Sequence, residues 1–329
     1  MKMVTVVLSA LLLYGCSFRT KPWMMPQPDG YVYVPTGVIM EYQGKNEEYK
    51  GRNITVMAFW MAETEVTNGQ YREYLADVAA ETPPVEAIYN VPDSVVLQNE
   101  LWISKYTDYF TNPAFDDFPV VGLTKSQMID YAKWLSKKTS ETNGLWTYEF
   151  RLPTVFEWRF AAYGGRSSAN TYPWGGPYDR NSKGCYLLHC YTPSQFKVIG
   201  ENESSGSGFY TRQDLSQKLV DSMYNTILVS TKNWKKTKRK YVGRTLPLIG
   251  MPVFADAYFP NDFGLYGMSG NVAEMTHEGQ VIGGSFRTTS AYCKIMNAEE
   301  YPFDASQPQC DVGFRLVCSY VSARVEKKE

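Results

Sequence analysis

Six cysteines and two histidines hold most of the soft-ligand and nucleophilic capacity of this 329-residue chain: Cys16, Cys185, Cys190, Cys293, Cys310 and Cys318, with His189 and His277. Their spacing excludes the commonest metal chemistry first. Cys185-x4-Cys190 and Cys310-x7-Cys318 match no usual zinc pattern, and with two histidines in the whole chain a structural zinc site is not expected. The stretch GGSFRTTSAYCKIMN, residues 283–297, places Cys293 in a run of hydroxyls that includes Thr288. On its residues alone Cys293 reads as a structural cysteine, buried or disulfide-bonded. Without Cys16 the cysteines number five, so at least one thiol stays free or pairs between chains, and connectivity is open.

The elements that must position these groups come from an ordinary globular composition. With 44% hydrophobic and 20% charged residues and a formal net charge of −1, the chain can bury a normal core, and it lacks the clustered positive charge that phosphate backbones require. A nucleic-acid partner is therefore not expected. The 25 Tyr, 16 Phe and 8 Trp, with 25 Gly and 18 Pro, point to a loop-rich fold pinned by buried rings, with few long helices.

The first residues read as a processing signal. Lys2 precedes an apolar run from Met3 to Gly15 that is short of the roughly 20 residues a spanning helix needs. The run ends in Leu13-Tyr14-Gly15-Cys16, which resembles a bacterial lipobox. The resemblance implies a signal peptide over 1–15, acylation of Cys16, and a lipid-anchored protein, placed at the outer membrane because Ser17 follows the cysteine. Residues 16–30 are then a proline-rich tether, 31–320 the folded domain with an insertion at 211–246, and 321–329 a charged tail.

Within the domain, YVYV at 31–34 reads as a strand, and three apolar-to-helical units follow at 59–78, 118–139 and 151–165. The first is capped by Thr67 or Asn68 and lines up Tyr71, Tyr74, Leu75 and Val78; the second is capped by Thr124 and lines up Met128, Tyr131, Ala132 and Leu135. The third begins with Thr154 and Glu157 as a capping box. These stripes read as core.

Taken in order with YPWGG (172–176), NDFGLYGMSGNVAEM (261–275), GGSF (283–286) and VGFRLV (312–317), these phrases resemble the formylglycine-generating enzyme, or sulfatase-modifying-factor, domain. The resemblance covers nearly all of the chain after the tether and implies a compact, loop-rich α+β fold with little regular secondary structure, related to C-type lectin-like domains. Enzymes of that family bind copper(I) through two cysteines after GGS. Here Thr288 stands at the first cysteine's position, Thr289 at the following histidine's, and Cys293 at the second cysteine's. Ala273 replaces a tryptophan of the family's active-site region. The resemblance thus implies a scaffold without catalysis, and the two histidines likewise cannot supply the three-histidine iron site of a related enzyme class. Calcium is the one cofactor left open: the family's site falls on Gly267, Gly270, Val272 and Glu274, with glycine where a side-chain oxygen is needed. At a second calcium position, residues 204–209 offer no carboxylate.

Residues 59–75, 112–122, 174–185 and 259–275 further resemble the gliding-motility and type IX secretion lipoproteins of the GldK or PorK type in the Bacteroidota. That implies a lipoprotein facing the periplasm, with a structural role in an oligomeric envelope assembly and a periplasmic ring subunit of the GldN or PorN type as its partner. In the insertion, Leu215, Leu219, Met223 and Ile227 form an amphipathic stripe. The basic run after it, with Trp234, Lys235, Lys236, Lys238 and Arg239, suits an acidic partner or anionic headgroups, or is simply a solvated loop. Two other function classes fit the same scaffold: an oxidase of the formylglycine-generating type, and a lectin-like binder of glycans or peptidoglycan.

Overall fold

The computed structural model describes residues 26–43, 50–81, 89–101, 108–143, 146–166, 170–182, 184, 186–191, 250–296 and 306–323. Among these, helices α1 (Asn68–Glu81), α2 (Ser94–Glu100), α3 (Lys125–Asn143) and α4 (Val155–Ala162) surround short strands and long irregular segments. Helices α1, α3 and α4 start by one device. The Thr67 backbone N–H donates to Gln70 Oε1 at 3.0 Å while Gln70 N–H returns to Thr67 Oγ1 at 3.4 Å. The same reciprocal pair joins Thr124 to Gln127 and Thr154 to Glu157. Each satisfies two backbone donors that a helix start leaves without partners. Thr67 is thus the cap of α1, and Asn68 is buried instead, its amide donating to the carbonyls of Tyr109 and Phe115.

Of the three sheets among the described residues, two frame the site. The first is antiparallel and ordered β1 (Tyr31–Val34), β4 (Phe59–Ala62), β9 (Val317–Ala323), β5 (Trp146–Arg151). The hairpin of β2 (Gly37–Gln43) and β3 (Lys50–Val56) stands beside it as a separate two-stranded sheet. The second sheet is small and central to the site: β6 (Ala273–Met275) lies between β7 (Val281–Ile282), antiparallel, and β8 (Val312–Gly313), parallel. All three residues of β6 are buried.

The expected stripes face the core. Tyr71 and Tyr74 of α1 meet Tyr131 of α3 with ring centroids 5.5 Å apart, and Tyr131 meets Phe314 at the same distance. A second cluster gathers Trp158 of α4 with Phe59, Met61, Leu265, Met268 and Val317. Burying so many rings gives area-proportional stabilisation together with edge and stacking preferences that fix their mutual orientation.

The domain bounds shift slightly at both ends. Residues 26–30, expected in the tether, are docked: Tyr148 Oη donates to Pro26 O, and Gly30 O accepts from Glu63 N–H. Strand β9 continues to Ala323, so residues 321–323, expected in the tail, belong to a sheet. Cys16 and the insertion 211–246, with Trp234, Lys235, Lys236, Lys238 and Arg239, lie outside the described residues. No helix among the described residues is long and apolar enough to cross a membrane.

Candidate functional site

The turn after β7 is built by two glycines with φ of 91° and 68°, Gly283 and Gly284. A side chain at Gly284 would also collide with Cys293, since its Cβ would lie 2.6 Å from the sulfur. Glycine is required there on both counts. The turn then closes on itself: Ser285 N–H donates to Thr288 Oγ1 at 2.8 Å, and the Thr288 hydroxyl donates back to Ser285 O at 3.2 Å. Thr288 is fully buried and 3.9 Å from Cys293 Sγ. Its hydroxyl is occupied in holding the loop.

Beneath the turn, Ser285 Oγ donates to Asp311 Oδ2 at 2.5 Å, and Asp311 Oδ1 pairs with Arg287 at 3.3 Å. Arg287 also reaches Glu100 at the end of α2. Cys310 sits against this guanidinium, yet burial holds its thiol well above the ordinary cysteine range. A protonated, enclosed thiol is a packing group rather than a nucleophile.

A second network lies on β6. Glu274 accepts from Arg315 through both carboxylate oxygens, at 2.6 and 2.7 Å, and from Trp158 Nε1 at 2.7 Å. Arg315 and Glu274 are 0% and 1% exposed, so this is a desolvated, two-point ion pair. Burial alone would lower the arginine's pKa, but the charge and hydrogen bonds of Glu274 carry it above its usual value. Arg315 further donates to the carbonyls of Ala62, Glu63 and Tyr266, fastening β4 and the 266 loop to β6.

Glu65 is the third member. It is fully buried, accepts from the Asn271 amide at 3.1 Å, and leaves Oε2 without a hydrogen-bond partner. Burial pushes its pKa up to about 8 despite the opposing pull of Arg315, and Glu274 adds to the rise. Its carboxyl occupies the space beside Gly267, where a Cβ would stand 2.6 Å from Oε1. Asn271 is the hub that makes this possible. Its φ of 65° suits asparagine better than other side chains. Its N–H, carbonyl and Oδ1 are bonded to His189 O, Phe286 N–H and Val253 N–H respectively.

Tyr191 N–H donates to Thr288 O at 2.8 Å, and the 189–191 segment runs parallel to Gly270 and Thr289. Cys190 thereby enters the same buried cluster as Cys293, with Tyr172 and Leu188. The two thiols hydrogen-bond, and this, before burial, raises the Cys190 pKa well above its ordinary value. About 100 residues separate them in sequence, so spacing gave no sign of the contact. The two histidines do not meet there: the His189 ring bonds Met251 O, and His277 is exposed after β6, its N–H donating to Pro153 O.

A model of the "Sulfatase-modifying factor enzyme 1-like domain" matches residues 20–320. The chain belongs to this family. Among curated proteins, serine/threonine-protein kinase Pkn1 of Chlamydia trachomatis is 27% identical over 174 residues, 52% of this chain. The matched stretch spans only 25% of that kinase's length. Among solved structures, Treponema denticola variable protein 1 is 16% identical with a TM-score of 0.46, covering 88% of this chain and 94% of that one. PvdO of Pseudomonas aeruginosa is 18% identical with a TM-score of 0.47 over the same shares. CarF is 18% identical with a TM-score of 0.47, over 91% of this chain and all of that one.

The family's metal positions can now be tested against the side chains present. At the copper positions, Thr288 is hydrogen-bonded into its own turn and offers no thiolate, so Thr288 and Cys293 do not fit a two-sulfur site. Ala273 is fully buried in the main core on β6, its N–H donating to Asp311 O. At the calcium positions Gly270 and Val272 flank the Asn271 hub, but both oxygens of Glu274 already hold Arg315. A calcium ion there would have to sit beside a buried guanidinium, so these residues fit an internal arginine better than a metal. Glu65, Asn271, Asp311, Arg315 and Cys190 are the site residues that sequence reasoning missed. Arg315, Glu65 and Asn271 did lie in quoted family phrases, yet their partners are far away in the chain.

Proposed function

We propose that this protein is a non-catalytic envelope lipoprotein, a structural component of a type IX secretion or gliding-motility apparatus of the GldK or PorK type. The observation that carries the reading is Thr288, a buried hydroxyl tied to Ser285 where the family's enzymes place a copper cysteine, in a domain otherwise retained over 20–320. The lipobox-like Cys16 supports anchoring at the outer membrane, and the basic run around Trp234 supports an acidic periplasmic partner of the GldN or PorN type in an oligomeric ring.

Affinity purification from detergent-solubilised envelopes tests this. The native protein should bring down a periplasmic subunit, and Cys16→Ser should release it from membranes. Joint replacement of Lys235, Lys236, Lys238 and Arg239 by serine should lower recovery of the subunit. Undiminished membrane retention of Cys16→Ser would remove the lipoprotein reading. A separate assay addresses catalysis: the purified domain, supplied with copper and oxygen, should leave the cysteine of a sulfatase-motif peptide unconverted. Turnover to formylglycine would make it an oxidase.

One observation favours a second reading. Trp174, Leu187, Tyr258 and Phe259 line a shallow surface cleft, and Phe259 is 69% exposed. In a lectin-like fold such rings suit the apolar faces of sugars. Saturable tryptophan quenching by muropeptides would favour that reading over a purely structural one.

A further inference from the structure

We infer that Cys190 and Cys293 close into a disulfide that fastens the 186–191 segment to the Gly283–Gly284 turn. The two thiols share one buried cluster, at 4% and 0% exposure, and are in hydrogen-bond contact. Their backbones are already held from both sides. Around Cys190, His189 O accepts from Asn271 N–H at 2.7 Å and Tyr191 N–H donates to Thr288 O at 2.8 Å. Around Cys293, its N–H donates to Ser290 O at 3.2 Å and its carbonyl accepts from Ser269 Oγ at 2.7 Å. A disulfide is strained when the backbone must move to make it. Here the backbone on both sides of the pair is tied by hydrogen bonds to neighbouring segments of one buried cluster.

The other described thiols face different surroundings. Cys310 lies against the Arg287 guanidinium, and Cys318 sits in β9 opposite Trp60 and Phe150. Tyr172, stacked on Trp174 at 4.8 Å and bonded to Ser290 O, covers the Cys190–Cys293 cluster. The cover dictates when the bond forms. A buried thiol exchanges slowly, so oxidation belongs to folding, before the cluster closes. One thiolate attacks a sulfur of a disulfide oxidant and releases a thiol. The other then displaces the oxidant's second sulfur. In sum the protein loses two protons and two electrons, and the oxidant's S–S bond is reduced to two thiols. The inference does not depend on the envelope reading, which decides only where oxidation occurs in the cell.

The test is oxidative refolding of the whole chain in reduced and oxidised glutathione, followed by thiol blocking and peptide mapping without reduction. A linked pair containing Cys190 and Cys293, split by reductant into two alkylatable peptides, is the expected result. The closed loop of about 100 residues should raise the unfolding midpoint by roughly 10 °C over the reduced protein. Cys190→Ser and Cys293→Ser should each lose that oxidant-dependent rise. The inference fails if both cysteines carry the blocking label after refolding, if either is linked to Cys185 or another cysteine, or if the pair holds stoichiometric copper as thiolates. Should a serine variant not fold, the peptide map of the unaltered chain still decides.

Discussion

Arg315→Met is expected to destabilise the domain by about 3–5 kcal/mol, the usual effect of removing one partner from a buried ion pair. The cost is not the loss of one attraction. Glu274 is 1% exposed, and without the guanidinium its carboxylate keeps only the Trp158 hydrogen bond, with the Glu65 carboxyl nearby. Three backbone carbonyls that Arg315 now satisfies, those of Ala62, Glu63 and Tyr266, would lose that donor as well. Chemical denaturation with a double-mutant cycle separates these contributions. If the orphaned charge dominates, adding Glu274→Gln to Arg315→Met should recover a large part of the loss. If the carbonyls dominate, the double variant should be no better than the single one. A loss under about 1 kcal/mol for Arg315→Met would mean that water or repacking replaces the pair, and that the network is not what joins β4 to β6.

The elements around this network were largely legible in the sequence, because their signals are local. Thr154 and Glu157 announce a helix start within four residues, and Tyr71 with Tyr74 shows a helical face within one turn. The capping role of Gln70 and Gln127 was equally local but easier to overlook, since a neutral amide performs it. The site was legible only where family motifs marked single positions. Thr288 could be placed, but its exchange of hydrogen bonds with Ser285 depends on the turn that the two glycines make. The partners of Glu274, Ser285 and Cys293 are Arg315, Asp311 and Cys190, and no periodicity or spacing rule connects such residues. They meet because β6 pairs with β8 on one side while the 189–191 segment lies along the following turn. The calcium expectation met the same limit. Glu274 can be assigned to a metal from its motif, whereas the guanidinium that holds it comes from a different phrase of the sequence.

Glu65→Gln is expected to flatten the pH dependence of stability between about pH 5 and 8. The sign follows from where the proton sits. Burial raises the folded-state pKa of Glu65 to about 8, so in this interval the native protein carries a proton that an unfolded glutamate, with a pKa of about 4.3, has released. When the native state binds more protons than the unfolded one, stability falls as pH rises, here by about 1.4 kcal/mol for each pH unit. The contribution is fully present below the unfolded pKa and is lost as pH rises toward the folded one. Glutamine imitates the protonated acid: its Oε1 still accepts from the Asn271 amide, and it has no charge to expose to Glu274. Wild type and variant should therefore be similar in stability near pH 5 and diverge toward pH 8, with Glu65→Gln the more stable. Other titrating groups contribute equally to both proteins, so the difference between their urea midpoints isolates this one. Parallel curves across the interval would place the Glu65 proton in solvent and remove the neutral acid from the network. A slope that persists in Glu65→Gln and disappears in Glu274→Gln would instead locate the proton on Glu274, leaving Arg315 paired with Glu65.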